Sequence, residues 1–449
     1  MQAAAGQSKL VNIRRRRCQL PKIAFIGAGS VVFARTLLTD ILLIPELSDS
    51  SIALMDINEE RLELITGLAK RLVEENKWPA SVTSTTNRRE ALDGADYVIV
   101  MIQVGGLDAY KIDVEIPRRF GIDQTVGDTL GPGGVFRAMR TIPVLADICW
   151  DIEELCPNAV LINYSNPMAM NCWGISLASD IVQSVGLCHS VQGTAWQIAQ
   201  YVGIPYEELS YWCAGINHMS WYLTLEHNGE DVYPALRRAM EDPDIFAKDR
   251  VRFEIMRHFG YFVTESTHHM SEYVPYFRRT PEMAERWTNP RWDYFEICSQ
   301  NWESFYSKIR AQINGTEPIG DAKPSHEYAS QIIYAHHTGI PCRINGSVPN
   351  IDLISNLPYG CSVEVPILVD RAGLHPCSVG ELPPQLAALN SSNIWVQRLA
   401  VEAAFERSKQ KAFQAVALDP LTSSLLELAD IKKMVDEMWE AERQWLEEE

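Results

Sequence analysis

The run Lys22-Ile23-Ala24-Phe25-Ile26-Gly27-Ala28-Gly29-Ser30 restricts the fold more than any other stretch of the 449-residue chain. A short apolar run that stops at a Gly-x-Gly pair reads as a buried strand turning tightly into a helix. The helix is expected over 31–44, a second strand over 52–55 ending in Asp56, and a second helix over 61–75. Strand, turn, helix and strand at such short intervals favour a parallel sheet with right-handed crossovers. Further strands are expected at 97–103, 160–164 and 185–187, with a helix over 138–154. The second half is less periodic. Strands are expected at 223–226 and 362–368, and helices at 251–258, 302–313, 386–414 and 425–448, the last two long and amphipathic.

The glycine turn has a chemical reading as well. Gly27 and Gly29 let a pyrophosphate approach the backbone, and a helix starting at Ser30 offers its N–H groups and the positive end of its dipole to the phosphates. The third position of the G-x-G-x-x-G fingerprint is Val32, a departure from the pattern. Asp56, closing the second strand, suits a ribose diol and repels a 2′-phosphate, which favours NAD+ over NADP. Gln103, ending the next strand, joins this cofactor set. The expected class is therefore α/β, a Rossmann-type doubly wound sheet with a second mixed α+β domain over its carboxyl-end crevice. The expected division is a flexible extension at 1–20, the NAD-binding domain at 21–194, and a substrate, metal and oligomerisation domain at 195–449.

Composition narrows the partners. Forty Lys and Arg against 58 Asp and Glu leave a net charge of -18, which argues against nucleic acid or an anionic membrane surface. No apolar run approaches the roughly 20 residues needed to span a bilayer. The ten cysteines show no CxxC pair, and most of them read as small buried hydrophobes kept reduced in a cytoplasm. Arg14-Arg15-Arg16-Arg17 precedes no apolar segment, so it is not part of a secretory signal. Apolar faces on the C-terminal helices suggest a homodimer or homotetramer.

Polar residues then gather around the expected crevice. Asn166, before Pro167, is an ordinary turn residue by itself; at the end of a strand in the nucleotide-binding half it can hold a substrate hydroxyl. Cys188 and His218 each follow an apolar run, and one thiolate with one imidazole can grip a divalent ion while leaving positions open for substrate oxygens. Zinc fits less well, because no third or fourth protein ligand stands nearby in sequence. Asp128, in a Gly-rich loop before a helix, reads either as a cap or as a site carboxylate. Glu272-Tyr273-Val274-Pro275-Tyr276-Phe277, following His268-His269, reads either as core or as a tyrosine beside a carboxylate.

Taken together, the runs 25–30, 128–134, 166–171, 186–194 and 213–219 resemble the NAD-dependent family-4 glycoside hydrolases, and the likeness extends from about Lys22 to the end. The resemblance implies an α-galactosidase for melibiose-like substrates that uses NAD+ and Mn2+. The sugar is oxidised at C3, a base removes the C2 proton, the aglycone leaves by elimination, and water adds before the hydride returns. It implies Cys188 and His218 as metal ligands, Tyr273 as the base, and Asn166 and Asn217 as hydroxyl contacts. His189 stands where phospho-sugar members carry an acidic residue; His189 and Asp128 are the two candidates for protonating the leaving oxygen. Rivals are an α-galacturonidase, α-glucuronidase or α-glucosidase of the same family, a 2-hydroxy-acid dehydrogenase, and a non-catalytic NAD-binding sensor.

Overall fold

The computed structural model describes residues 20–300 and 302–446. The expected extension at 1–20, Leu20 apart, and its arginine run lie outside the described residues. The strands, in chain order, are β1 (Lys22–Ile26), β2 (Ser51–Met55), β3 (Ser81–Thr85), β4 (Tyr97–Val100), β5 (Val160–Asn163), β6 (Gln183–Gly186), β7 (Leu209–Ile216), β8 (Met219–His227), β9 (Glu230–Asp231), β10 (Cys342–Pro349), β11 (Ser362–Asp370) and β12 (Gly373–Pro376).

The first six strands pair in parallel in the order β3-β2-β1-β4-β5-β6. That is the doubly wound order, and its direction reverses between β1 and β4, where the crevice at the strand ends opens. β1, β4 and β5 are buried along nearly their whole length, because helices cover both faces of the sheet. The sheet then continues antiparallel through β10, β11, β7, β8 and β9, with β12 on β11. Strands from the second half therefore extend the same sheet.

Several element limits differ from those expected. The strand expected at 97–103 stops at Val100, and Met101 turns its N–H to Ile26 O at 2.9 Å. The helix expected at 386–414 is two helices, Pro384–Glu406 and Lys409–Leu418. Arg407 takes a left-handed conformation between them and Ser408 caps the second through Lys411 N–H, so the chain bends where the apolar pattern runs on. The longer of the two braces the site from below. Asn390 donates to Met219 O at 2.8 Å and accepts from the Trp221 indole at 3.0 Å, and Asn393 donates to Tyr273 O at 3.2 Å.

Candidate functional site

The glycine turn is dictated by close approach. Gly27, at φ +86°, swings the chain so that its own N–H and that of Ala28 both reach Met55 O at 2.9 Å. A Cβ there would lie 2.8 Å from Met101 O, and a Cβ on Gly29 would lie 2.5 Å from an Asp56 oxygen. Val32 projects outward with 55% of its surface exposed, so nothing at that position demands a third glycine. The Ser30 hydroxyl makes no capping bond to the helix Val31–Leu42 that it precedes. Asp56 accepts Gly29 N–H at 2.7 Å and Asn58 N–H at 2.8 Å, locking the turn to β2; each oxygen keeps a further lone pair for a hydroxyl. Gln103 lies at the surface, its amide donating to Gly106 O at 3.1 Å.

Further along the strand ends, Asn166 is half-buried beyond β5. Cys188 follows β6, and His189 begins the helix Ser190–Val202 with its side chain 76% exposed, 3.7 Å from Glu327. Asn217 and His218 form the two-residue turn of the β7–β8 hairpin. A Cβ on Gly215 would lie 2.5 Å from Met219 O, so glycine is what allows the hairpin to close this tightly. His218 sits at φ +65°, where an imidazole is held only because the surroundings fix it.

The hairpin carries His218 Nε2 to 3.3 Å from Cys188 Sγ and 3.4 Å from a Glu265 oxygen. Ligand atoms of all three residues lie within 4.8 Å of one another. Glu265, also left-handed at φ +78°, reaches the cluster because the strap before it pairs with β8: Tyr222 N–H bonds Phe262 O at 3.0 Å, and Thr264 N–H bonds Ser220 O at 2.9 Å. Burial pushes the Cys188 thiol up to about 11. Burial alone would raise Glu265 too, but His218 and His269 pull it down to about 2. A thiol, an imidazole and an ionised carboxylate converging in this way fit a borderline divalent cation.

Behind His218 stands a second layer. Its Nδ1 lies 3.1 Å from the Tyr273 hydroxyl and 3.1 Å from His269 Nε2, and His269 Nδ1 lies 3.1 Å from Glu272. Burial holds the Tyr273 phenol well above its ordinary value, and Glu265, Asp128 and Glu272 add to the effect. Asp128 is buried in an ion pair with Arg137 at 3.0 Å and accepts the Thr129 hydroxyl at 2.7 Å. Beneath the hairpin, Glu364 accepts the Ser220 hydroxyl at 2.7 Å, and burial raises its carboxyl to about 7. Both polar atoms of the Asn217 amide and one Glu364 oxygen are buried without a well-formed hydrogen bond, although the Asn217 amide lies near enough to Glu364 to favour its ionised form.

The structure thus brings Cys188, His218 and Tyr273 together, leaves His189 exposed and Asp128 in its ion pair, and places Gly27, Gly29, Ser30, Asp56 and Gln103, the residues expected to hold the cofactor, beyond the carboxyl ends of β1, β2 and β4. Sequence reading passes over Glu265 and Glu364 and assigns no role to His269 and Glu272. His269 and Glu272 were visible beside Tyr273 but carry no spacing rule, and nothing local marks Glu265 or Glu364.

Residues 22–204 match the model of the family 4 glycosyl hydrolases, and residues 213–422 match that of the family 4 glycosyl hydrolase C-terminal domain. The chain belongs to glycosyl hydrolase family 4. Within this family it is 43% identical over 439 residues to an α-galactosidase of Bacillus subtilis (strain 168), covering 96% of this chain and all of the relative. It is 40% identical over 438 residues to an α-galactosidase of Rhizobium meliloti (strain 1021), covering 95% and 89%. An α-galacturonidase of Lachnoclostridium phytofermentans is 30% identical over 460 residues, covering 95% and 97%. Among solved structures, one from Bacillus subtilis, given as a glucosidase, superposes with TM-score 0.84 at 26% identity, covering 93% and 99%. A 6-phospho-α-glucosidase from gut microorganisms, in complex with NAD and Mn2+, superposes with TM-score 0.81 at 22% identity, covering 95% and 99%, a likeness of fold.

Proposed function

We propose that this family-4 glycosyl hydrolase is an NAD+- and Mn2+-dependent α-galactosidase that cleaves terminal, melibiose-like α-galactosides in the cytoplasm. The observation that carries the sugar assignment is the near full-length identity of 43% and 40% to two α-galactosidases, against 30% to the α-galacturonidase. The chemistry is supported by the convergence of Cys188, His218 and Glu265 beside Tyr273.

Cys188, His218 and Glu265 are the residues that would hold the cation; Gly27, Gly29, Ser30, Asp56 and Gln103 would hold the dinucleotide. The dinucleotide held there would supply a hydride acceptor for C3 of the sugar, and the cation would supply a Lewis acid for the C3 oxygen, chemistry that acidifies the proton on C2. Tyr273, ionised once the cation is held, would accept that proton at its phenolate oxygen and become a neutral phenol. Burial and the carboxylates around it disfavour the phenolate in the surroundings described, and a dication held by Cys188, His218 and Glu265 would offset that negative charge and favour ionisation. Asn166 and Asn217 hold hydroxyls; both polar atoms of the buried Asn217 amide lack a well-formed hydrogen bond, which a sugar hydroxyl would supply. His189, exposed at the mouth, is better placed than the ion-paired Asp128 to give a proton to a departing oxygen.

The test is release of p-nitrophenol from the α-galactoside with NAD+, Mn2+ and thiol each omitted in turn, beside the α-galacturonide. Expected is release that needs all three, strongly favours the galactoside and accumulates no NADH. Stoichiometric NADH would mark a dehydrogenase, and preference for the galacturonide would reassign the sugar.

For the cofactor, Asp56→Ala should weaken NAD+ binding about 10- to 100-fold, the loss of about 1.5 to 3 kcal/mol usual for a hydrogen bond to a charged group. Preference over NADP should narrow with it. Equal affinity of the unaltered protein for NADP and NAD+, measured by fluorescence titration, would remove Asp56 from the ribose.

A further inference from the structure

Glu272 is wholly buried and accepts five hydrogen bonds from two directions. Thr125 N–H at 2.6 Å, the Thr125 hydroxyl at 3.0 Å and Val126 N–H at 2.9 Å donate to one oxygen. Gly127 N–H at 3.2 Å and His269 Nδ1 at 3.1 Å approach the other. An ionised carboxylate only accepts, so His269 Nδ1 must carry a hydrogen, and in the neutral ring Nε2 is then a lone pair. That lone pair lies 3.1 Å from His218 Nδ1, so in neutral His218, the form a cation needs, a hydrogen on Nδ1 completes the relay, and the Tyr273 hydroxyl, also 3.1 Å from Nδ1, is left to accept there rather than donate. In neutral His218 the remaining lone pair is on Nε2, the atom that faces Cys188 and Glu265. One carboxylate, two rings away, thus fixes which nitrogen of His218 can take a cation. Without it, His269 could offer Nε2–H instead, and the hydrogen on His218 would then point into the gap between the ligands.

We propose that Glu272 is a positioning residue which, through His269, sets the His218 tautomer needed to bind a divalent cation, and through Thr125 to Gly127 ties the loop carrying Asp128 to the same anchor. The inference rests on Cys188, His218 and Glu265 being the cation site. Buried carboxylates that do no more than staple loops are common, so the test must separate the two roles.

Mn2+ binding to the full-length protein is measured by the electron paramagnetic resonance signal of free Mn2+, beside NAD+ affinity and far-ultraviolet circular dichroism. His269→Leu removes the relay at similar volume. His269→Gln preserves it, because its amide donates to Glu272 and its carbonyl accepts from His218. Expected is an Mn2+ dissociation constant raised about 10- to 100-fold in His269→Leu and in Glu272→Gln, the usual effect of losing an outer-shell partner, and within about threefold of the parent in His269→Gln. NAD+ affinity should be unchanged in all three. A tightly binding parent with His269→Leu equally tight, or His269→Gln no tighter than His269→Leu, overturns the inference and leaves the function standing. Parallel loss of NAD+ affinity and helicity assigns the pair to scaffolding and overturns it as well. A parent that binds no Mn2+ overturns the cation site, and this inference with it.

Discussion

Cys188→Ser and His218→Ala should each lower kcat on p-nitrophenyl α-galactoside by at least about 10³-fold, because a metal's share of transition-state stabilisation is several kcal/mol and each tenfold in rate is about 1.4. NAD+ affinity and thermal unfolding should change little. Cys188→Ser removes almost no volume, and the buried His218 ring packs in a polar layer against His269 and Tyr273, so its alanine variant leaves a polar space that water can fill rather than an apolar cavity. Mn2+ affinity should fall with the rate. A Cys188→Ser enzyme as active as the parent after chelator treatment would remove the thiolate from the site. The alanine variant is the sharper of the two, since serine keeps an oxygen that can ligate weakly, whereas loss of the imidazole leaves Cys188 and Glu265 alone.

Tyr273→Phe should lower kcat by about 10² to 10⁴-fold, the range for removal of a general base, with KM nearly unchanged. The ring packs edge-on against His218 and His269, and phenylalanine keeps that packing. Because the C2 hydrogen is removed after C3 is oxidised, turnover in D2O should leave deuterium at C2 of the released sugar. A product without C2 deuterium would refute the elimination route altogether. Deuterium in the product of a Tyr273→Phe enzyme running at normal speed would move the base elsewhere, Tyr276 being the next tyrosine along the chain.

What could be read from the sequence follows from how each feature is made. β1, β4 and β5 are covered on both faces, and burial of that kind demands uninterrupted Val, Ile, Leu and Ala, a signal that needs no partner to be recognised. β10, by contrast, spells Cys-Arg-Ile-Asn-Gly-Ser-Val-Pro, poor strand residues that form a strand because β11 and β6 flank it. β3 is an exposed polar edge with little apolar content to notice. The helix Met168–Ala178 is apolar on nearly every side, so it shows no face, and only its packing against neighbours reveals it. At the site, Cys188 and His218 stood out because strand ends are where α/β sheets place ligands. Glu265 arrives through a strap pairing with β8, and Glu364 through the register of β11 opposite Gly215, relations that exist only once the chain has folded.

Two left-handed residues of the proposed cation site set evolutionary stability against function. His218 at φ +65° and Glu265 at φ +78° each store about 1 to 3 kcal/mol of backbone strain that glycine or asparagine would largely release. A library sorted for heat resistance alone would therefore drift toward those residues at positions 218 and 265, and its most robust survivors would be inert. Breeding a hardier version of this protein means freezing both positions and seeking robustness elsewhere, for example by shortening exposed loops or filling the surface of the C-terminal helices.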